Sequence, residues 1–346
     1  MYYKRQLPIM SGVYRPLETR RFIMTAMGGY WPVIQKLHNG HLGVVTRDAD
    51  FHIGERGRLV FVTSPDGGES WSHATVISGE GSDNRNPAFG VAADGTLLAS
   101  FIRQVNYTDG VYMQGERVPT PLYVSRSEDH GATWTTALAK VDGQESWPVG
   151  SPFGKMVTLD DGTIVMPVHD SAASSVIRSH DTGRTWVDPV VIAPGGYNET
   201  GLCDLGGGHL LVVMRDGDGA AISQSDSEDG GYTWSEPRLL TEPAEHPGDV
   251  IKLQDGRLLL TYGRRVTPWG IQGMVSDDDG KTWNDDAKLL LVADSGSDQG
   301  YPSSIQTDDG TIVTVYYSSD LTIRRRPRPE MLGIHGAAVL YRPEDL

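Results

Sequence analysis

An eight-residue pattern recurs five times along this chain. It reads "SPDGGESW" from Ser64, "SEDHGATW" from Ser127, "SHDTGRTW" from Ser179, "SEDGGYTW" from Ser227 and "SDDDGKTW" from Ser276, at intervals of 48 to 63 residues. A fixed Ser-x-Asp-x-Gly-x-Thr/Ser-Trp spacing at such a period marks a repeat architecture, in which one supersecondary unit is stacked again and again. A second repeat interleaves with it: "LHNGHLGVV", "AADGTLLAS", "LDDGTIVMP", "LGGGHLLVV", "LQDGRLLLT" and "TDDGTIVTV". Each is a glycine-containing turn between short apolar, β-rich segments, which is the signature of a hairpin.

Each hairpin is followed by a loop, a third strand such as "RLVFVTS", the Ser-x-Asp box, and a fourth strand such as "HATVIS". Four antiparallel strands repeated six times around an axis make a six-bladed β-propeller, an all-β fold that leaves only short, protected edges. The 42 glycines and 20 prolines among 346 residues suit many strands and tight turns. The sixth copy ends at "HGAAVLYR" with no box after it, so its fourth strand must come from elsewhere. The expected donor lies within residues 11 to 25, pairing beside residues 336 to 342. Residues 1 to 346 are read as one domain.

The boxes resemble the start of a calcium loop, but the later bidentate glutamate is missing. They are read as structural turns, with the aspartate accepting backbone hydrogen bonds and the tryptophan packing between sheets. No metal and no cofactor are expected. The net charge of −15 speaks against a nucleic-acid partner, which would require a basic face. No stretch approaches the roughly 18 apolar residues of a membrane span. Cys203 is the only cysteine, so no internal disulfide is possible. With no apolar leader in "MYYKRQLPIMSGVYRP", the reading leans to the cytoplasm.

Aligned on the start of their innermost strands, the six copies read Trp31-Pro32, Asn86-Pro87, Ser151-Pro152, Asn198-Glu199, His246-Pro247 and Tyr301-Pro302. Counted in this way, Glu199 stands where the other copies have proline. Near the end of the second strand, 15 to 17 residues after the second member of each pair, come Arg47, Arg103, His169, Arg215, Arg264 and Ser318. Antiparallel neighbours bring these two rings to one face around the axis. Long loops at 47–57, 103–121 and 318–335 open on the same face, whereas hairpin turns and boxes lie on the other. Convergent charge among long loops marks a binding pocket. A bland reading stands beside it: Arg103 and Arg264 as solvated strand ends, Glu199 and Arg215 as a structural pair.

With these motifs the chain resembles the sialidase (neuraminidase) superfamily over about residues 28 to 345. Sialidases are similar in opening the fourth blade with Asn-Glu, matched by "NET" at Glu199, and in ending the next strand with an arginine, matched by "VVMRD" at Arg215. They open the last blade with Gly-Tyr, matched by "DQGYPSSIQTDDG" at Tyr301. The resemblance implies that Tyr301 is a nucleophile and Glu199 its base, that Arg47 belongs to the site, and that a catalytic acid stands on the following loop. Physical chemistry agrees with that pair. A phenol of pKa near ~10 needs a base to become nucleophilic. A carboxylate nucleophile would be repelled by an acidic sugar by about 4 kcal/mol at ~4 Å and an effective dielectric of ~20.

Sialidases open the first blade with Arg-Ile-Pro, the arginine being one of three that clamp the substrate carboxylate. Here "GGYWPVIQ" puts Tyr30 and Trp31 in place of Arg-Ile. Arg215 matches a second clamp member, and Arg264 or Arg265 the third. In "RDADFHIGERG" the acid is Asp50 or His52, the family's offset landing on His52. Trp31 is either a sugar-stacking residue or core; Arg103 and His169 complete the candidate sugar contacts. The resulting expectation is an exo-acting glycoside hydrolase taking a terminal, acidic sugar of a glycan. The alternatives are a polysaccharide lyase acting on a uronate through a Tyr–His pair, and a sugar-binding propeller without chemistry.

Overall fold

The computed structural model describes residues 15–26, 28–79, 82–113, 120–144, 150–217, 220–293, 299–318 and 334–346. Six antiparallel sheets of four or five strands follow one another along the chain as the blades of a propeller. Blade 1 is Tyr30–Lys36, Leu42–Asp48, Arg58–Ser64 and Thr75–Val76, and blade 4 is Asn198–Gly206, His209–Arg215, Ile222–Ser227 and Arg238–Leu239. Blade 6 consists of Gly300–Gln306, Ile312–Ser318 and His335–Tyr341, with Arg20–Thr25 as its outermost strand. That N-terminal strand pairs Arg20 with Leu340, Phe22 with Ala338 and Thr25 with Gly336, which closes the ring where the sixth copy lacks a box. Arg15–Pro16 adds in parallel to the outer strand of blade 5, pairing with Leu289 and Leu290.

The second strands are apolar on both faces because each blade is sandwiched between two others. In blade 1, Leu42 and Val44 pack against Ile305, Val313 and Val315 of blade 6. Val45 points the other way, into a cluster with Phe89, Leu97 and Phe101 of blade 2. Period-two alternation therefore serves two cores at once. Corresponding clusters lie between blades 2 and 3, 3 and 4, 4 and 5, and 5 and 6, so every blade interface has its own apolar filling.

The boxes are turns built around the aspartate. In the first, Gly68 N–H donates to Ser64 Oγ at 2.7 Å, and Ser70 donates to Asp66 through its N–H at 2.9 Å and its hydroxyl at 2.5 Å. The same bonds recur around Asp129, Asp181, Asp229 and Asp278. Each box tryptophan packs into the interface between its own blade and the preceding one, Trp71 between blades 6 and 1 and Trp186, fully buried, between blades 2 and 3. Burying such a side chain contributes on the order of 3 kcal/mol. The interface between blades 5 and 6 has no box tryptophan and is filled by Tyr341, with Leu17 and Leu346 against it.

Of the three long loops expected over the pocket face, 47–57 is described in full. Residues 114–119 of the second and 319–333 of the third lie outside the described residues.

Candidate active site

The inner strand of five blades opens on a β-bulge, where two residues oppose one on the second strand. Tyr30 pairs with Arg47 and Val33 with Val45, so Trp31-Pro32 is the extra pair; Gly300 pairs with Tyr317 and Ser303 with Val315, isolating Tyr301-Pro302. In blade 4, Asn198 pairs with Arg215 and Gly201 with Val213, and the bulged pair is Glu199-Thr200. This corrects the sequence alignment by one residue. Thr200 occupies the proline place, and Glu199 is level with Trp31, Asn86, His246 and Tyr301. Trp31, Asn86, Glu199 and Tyr301 have left-handed backbones, with φ of 52°, 54°, 40° and 52°. Such residues cost of order 1 kcal/mol each and concentrate at functional sites, where a bulge re-aims a side chain.

The two aimed side chains meet. Tyr301 Oη donates to Glu199 Oε1 at 2.5 Å, and Arg215 Nη1 donates to Glu199 Oε2 at 2.8 Å. The Arg265 guanidinium lies 5.2 Å from the centre of the Tyr301 ring. Burial and the adjacent Glu199 charge push the Tyr301 phenol far above its ordinary range. Burial alone would raise the Glu199 carboxyl, but the Arg215 charge and the Tyr301 hydrogen bond outweigh it and hold it below the usual range. The resting pair is therefore a neutral phenol donating to an ionised carboxylate.

Around this pair stands an aromatic wall of Tyr30, Trp31, Phe153, Tyr301 and Tyr317. The His52 ring meets Trp31 edge-on, centroids 5.1 Å apart, and Trp31 in turn meets Tyr301 at 6.3 Å. Of the two candidate acids only His52 is carried to this wall. The Asp50 carboxylate is folded into its own loop, accepting from Phe51 N–H and Arg56 N–H at 2.9 Å each.

Three expected sugar contacts are placed differently. Arg47 is fully buried: it pairs with Asp83 at 2.8 Å and donates to the carbonyls of Phe51 and Gly54, bracing the loop instead of facing a ligand. Arg264 is buried in a triad in which Glu245 accepts from Arg264 and, at 2.9 Å, from Lys288. A strand alternates faces, so its neighbour Arg265 is the one that reaches Tyr301. Arg103 stands one step beyond the ring, where register puts Ile102 opposite Arg85, and its guanidinium lies 4.4 Å from the centre of the Tyr123 ring. Likewise Tyr317, not Ser318, is level with the arginines in blade 6.

His169 is at the site, paired with Ser151 across the first strand of blade 3 and sensing the charges of Glu199 and Arg215. Two residues that sequence reading passed over belong here as well: Phe153, edge-on to Tyr301 at 5.7 Å, and the buried His246. His246 was legible, since it precedes a proline as Trp31 and Tyr301 do. Burial lowers the imidazole pKa of His169 to about 4; burial, then Arg215 and Arg265, lower that of His246 to about 3. An unfolded chain binds these protons near pH 6.5, the folded one only near 4 and 3. Their contribution to stability is thus present above pH 6.5 and lost as pH falls through that window. His169→Gln and His246→Gln are expected to flatten the fall in thermal midpoint between pH 6.5 and 4, measured by circular dichroism; slopes equal to wild type would contradict the assignment.

Residues 62–314 match the BNR repeat-like domain family. The chain belongs to that family. A sialidase of Paraclostridium sordellii is 26% identical to this BNR repeat-like chain over 179 residues, which is 44% of each protein. A solved protein of unknown function from Dyadobacter fermentans superposes with a TM-score of 0.75 at 22% identity, covering 94% of this chain and 99% of the other. A Hadza microbial sialidase gives 0.71 at 22% identity over 92% and 66%, and the NanB sialidase of Streptococcus pneumoniae 0.71 at 13% over 96% and 71%. At these identities the structural likeness speaks for the propeller fold. Among the described residues no helix is long and apolar enough to cross a membrane.

Proposed function

We propose that this chain is an exo-acting glycoside hydrolase, working as one propeller domain on a terminal acidic sugar such as a sialic acid. The reading is carried by one observation: a phenol and a carboxylate from the bulges of blades 6 and 4 share a hydrogen bond of 2.5 Å beside two arginines. Arg215 and Arg265 receive the sugar carboxylate by charge-assisted bonds. Tyr301 Oη attacks the anomeric carbon as its proton passes to Glu199. The glycosidic C–O bond breaks, and the leaving oxygen takes a proton from His52. Water then attacks the same carbon, giving its proton to His52, while the tyrosine oxygen departs and recovers its proton from Glu199. Two displacements retain the anomeric configuration.

With Tyr30 and Trp31 in the first-blade opening, the carboxylate meets two arginines and an aromatic wall instead of three arginines. A panel of 4-nitrophenyl glycosides tests this, comparing sialic acid, hexuronic acids and neutral hexoses. Nitrophenol release from acidic glycosides only, with retained configuration by NMR, is the expected result. Unsaturated products from a uronate polymer would establish a lyase instead, and saturable binding without turnover a lectin-like propeller.

A further inference from the structure

Asp83, at the start of the inner strand of blade 2, touches neither Tyr301 nor Glu199, yet it is a junction for the pocket rim. It is fully buried. One carboxylate oxygen accepts from Arg47 Nη2 at 2.8 Å; the other accepts from Tyr107 Oη at 2.5 Å and from Arg85. The three partners come from three segments. Arg47 is next to last in the second strand of blade 1, Arg85 stands beside the bulge of blade 2, and Tyr107 belongs to the hairpin Tyr107–Thr108/Val111–Tyr112 in the loop of blade 2. Arg85 also donates to Tyr107 Oη at 3.0 Å and lies over the Tyr112 ring, tying that hairpin down twice.

Arg47 carries this anchorage to the acid loop. Its guanidinium grips the carbonyls of Phe51 and Gly54, the two residues that bracket His52 and Ile53. It packs against the Trp31 and Tyr30 rings, 5.5 and 5.9 Å from their centres, and these are the rings that His52 meets at 5.1 and 5.5 Å. The loop is shaped for this grip, since a Cβ on Gly57 would lie 2.0 Å from the guanidinium. Gly57 C=O is held in turn by Asn84 N–H at 2.9 Å, next to Asp83.

We propose that Asp83 is a positioning residue for the catalytic acid, holding Arg47 so that loop 48–57 presents His52 to the leaving group. This rests on the glycosidase reading above. A guanidinium without its carboxylate would be a buried, uncompensated charge, free to draw water or turn toward solvent, and the loop tip would lose its fixed point. The defect would fall on protonation of the leaving group, leaving attack by Tyr301 intact.

The test compares methyl and 4-nitrophenyl glycosides of the acidic sugar turned over in the panel. Methoxide leaves poorly and needs a proton; nitrophenolate leaves without one. Asp83→Asn is expected to lower kcat/KM about 10- to 100-fold on the methyl glycoside and less than about threefold on the nitrophenyl one. Tyr107→Phe, which removes a single oxygen, is expected to shift the ratio in the same direction by a few-fold if Asp83→Asn fails to fold. In a His52→Gln background neither substitution should change the ratio further. Equal losses on both substrates, or no loss, would overturn the Asp83 role while leaving the nucleophile and base intact. No turnover of either glycoside by the wild-type protein would overturn the glycosidase reading and this role with it.

Discussion

Tyr301→Phe is expected to lower turnover of the accepted acidic glycoside by about two to four orders of magnitude, the scale of losing one catalytic group. The substitution removes only the oxygen that donates to Glu199. The ring keeps its place against Trp31, Phe153 and Tyr317, and Glu199 keeps Arg215, so the thermal midpoint should barely move. Glu199→Gln should bring a loss of similar size, because an amide cannot accept the phenol proton. The double variant should cost little more than either alone, since the two groups act in a single proton transfer. Pre-steady-state and steady-state rates on the same substrate decide it. A Tyr301→Phe protein with undiminished turnover would end the tyrosine-nucleophile mechanism. Losses that multiply in the double variant would mean that the residues act separately.

Lys155→Met is expected to destabilise the fold by about 3 to 5 kcal/mol, the scale for breaking one side of a buried ion pair. Lys155 leaves the interrupted inner strand of blade 3 to pair beside Phe89 of blade 2. Its ammonium donates to both oxygens of Asp249 in blade 5, at 2.9 and 2.8 Å, and to Ser304 C=O in blade 6 at 2.5 Å. Asp249 also accepts from Ser304 N–H at 2.7 Å, and both charged side chains are almost wholly buried. This network ties blades 3, 5 and 6 across the axis, partway down the inner strands from Tyr301. Removing the cation strands a carboxylate whose proton affinity is already raised by burial. Lys155→Met/Asp249→Leu, with no charge left, should recover much of the loss. Guanidinium unfolding midpoints measure both. A single variant as stable as wild type would show the pair to be dispensable, and a double variant as unstable as the single would place the cost in packing instead.

The repeat was legible because a blade is a local object. Box spacing, hairpin glycines and two-residue alternation all act within about fifty residues, so six copies and the missing sixth box announced both the ring and the N-terminal strand that closes it. Glu199, Arg215 and Tyr301 were legible for a related reason: they stand at positions that the repeat itself defines. Arg103 and Ser318 were misplaced because counting along a strand assumes that one residue opposes one. A bulge sets two residues against one, and every count beyond it shifts to the other face.

Sequence alone therefore determined the fold, the face that carries the pocket, and the residue types that converge on the axis. Which arginine reaches Tyr301, and which candidate acid is available, was decided in three dimensions. Arg47 and Arg264 are charges that the chain had to bury, and each is neutralised by a carboxylate on another strand, Asp83 and Glu245. Arg265, one residue on, faces the other way and reaches the site. Asp50 is held by N–H groups of its own loop, leaving His52 at the wall. A charge becomes a ligand contact or a structural brace according to the partner that folding brings within hydrogen-bond reach.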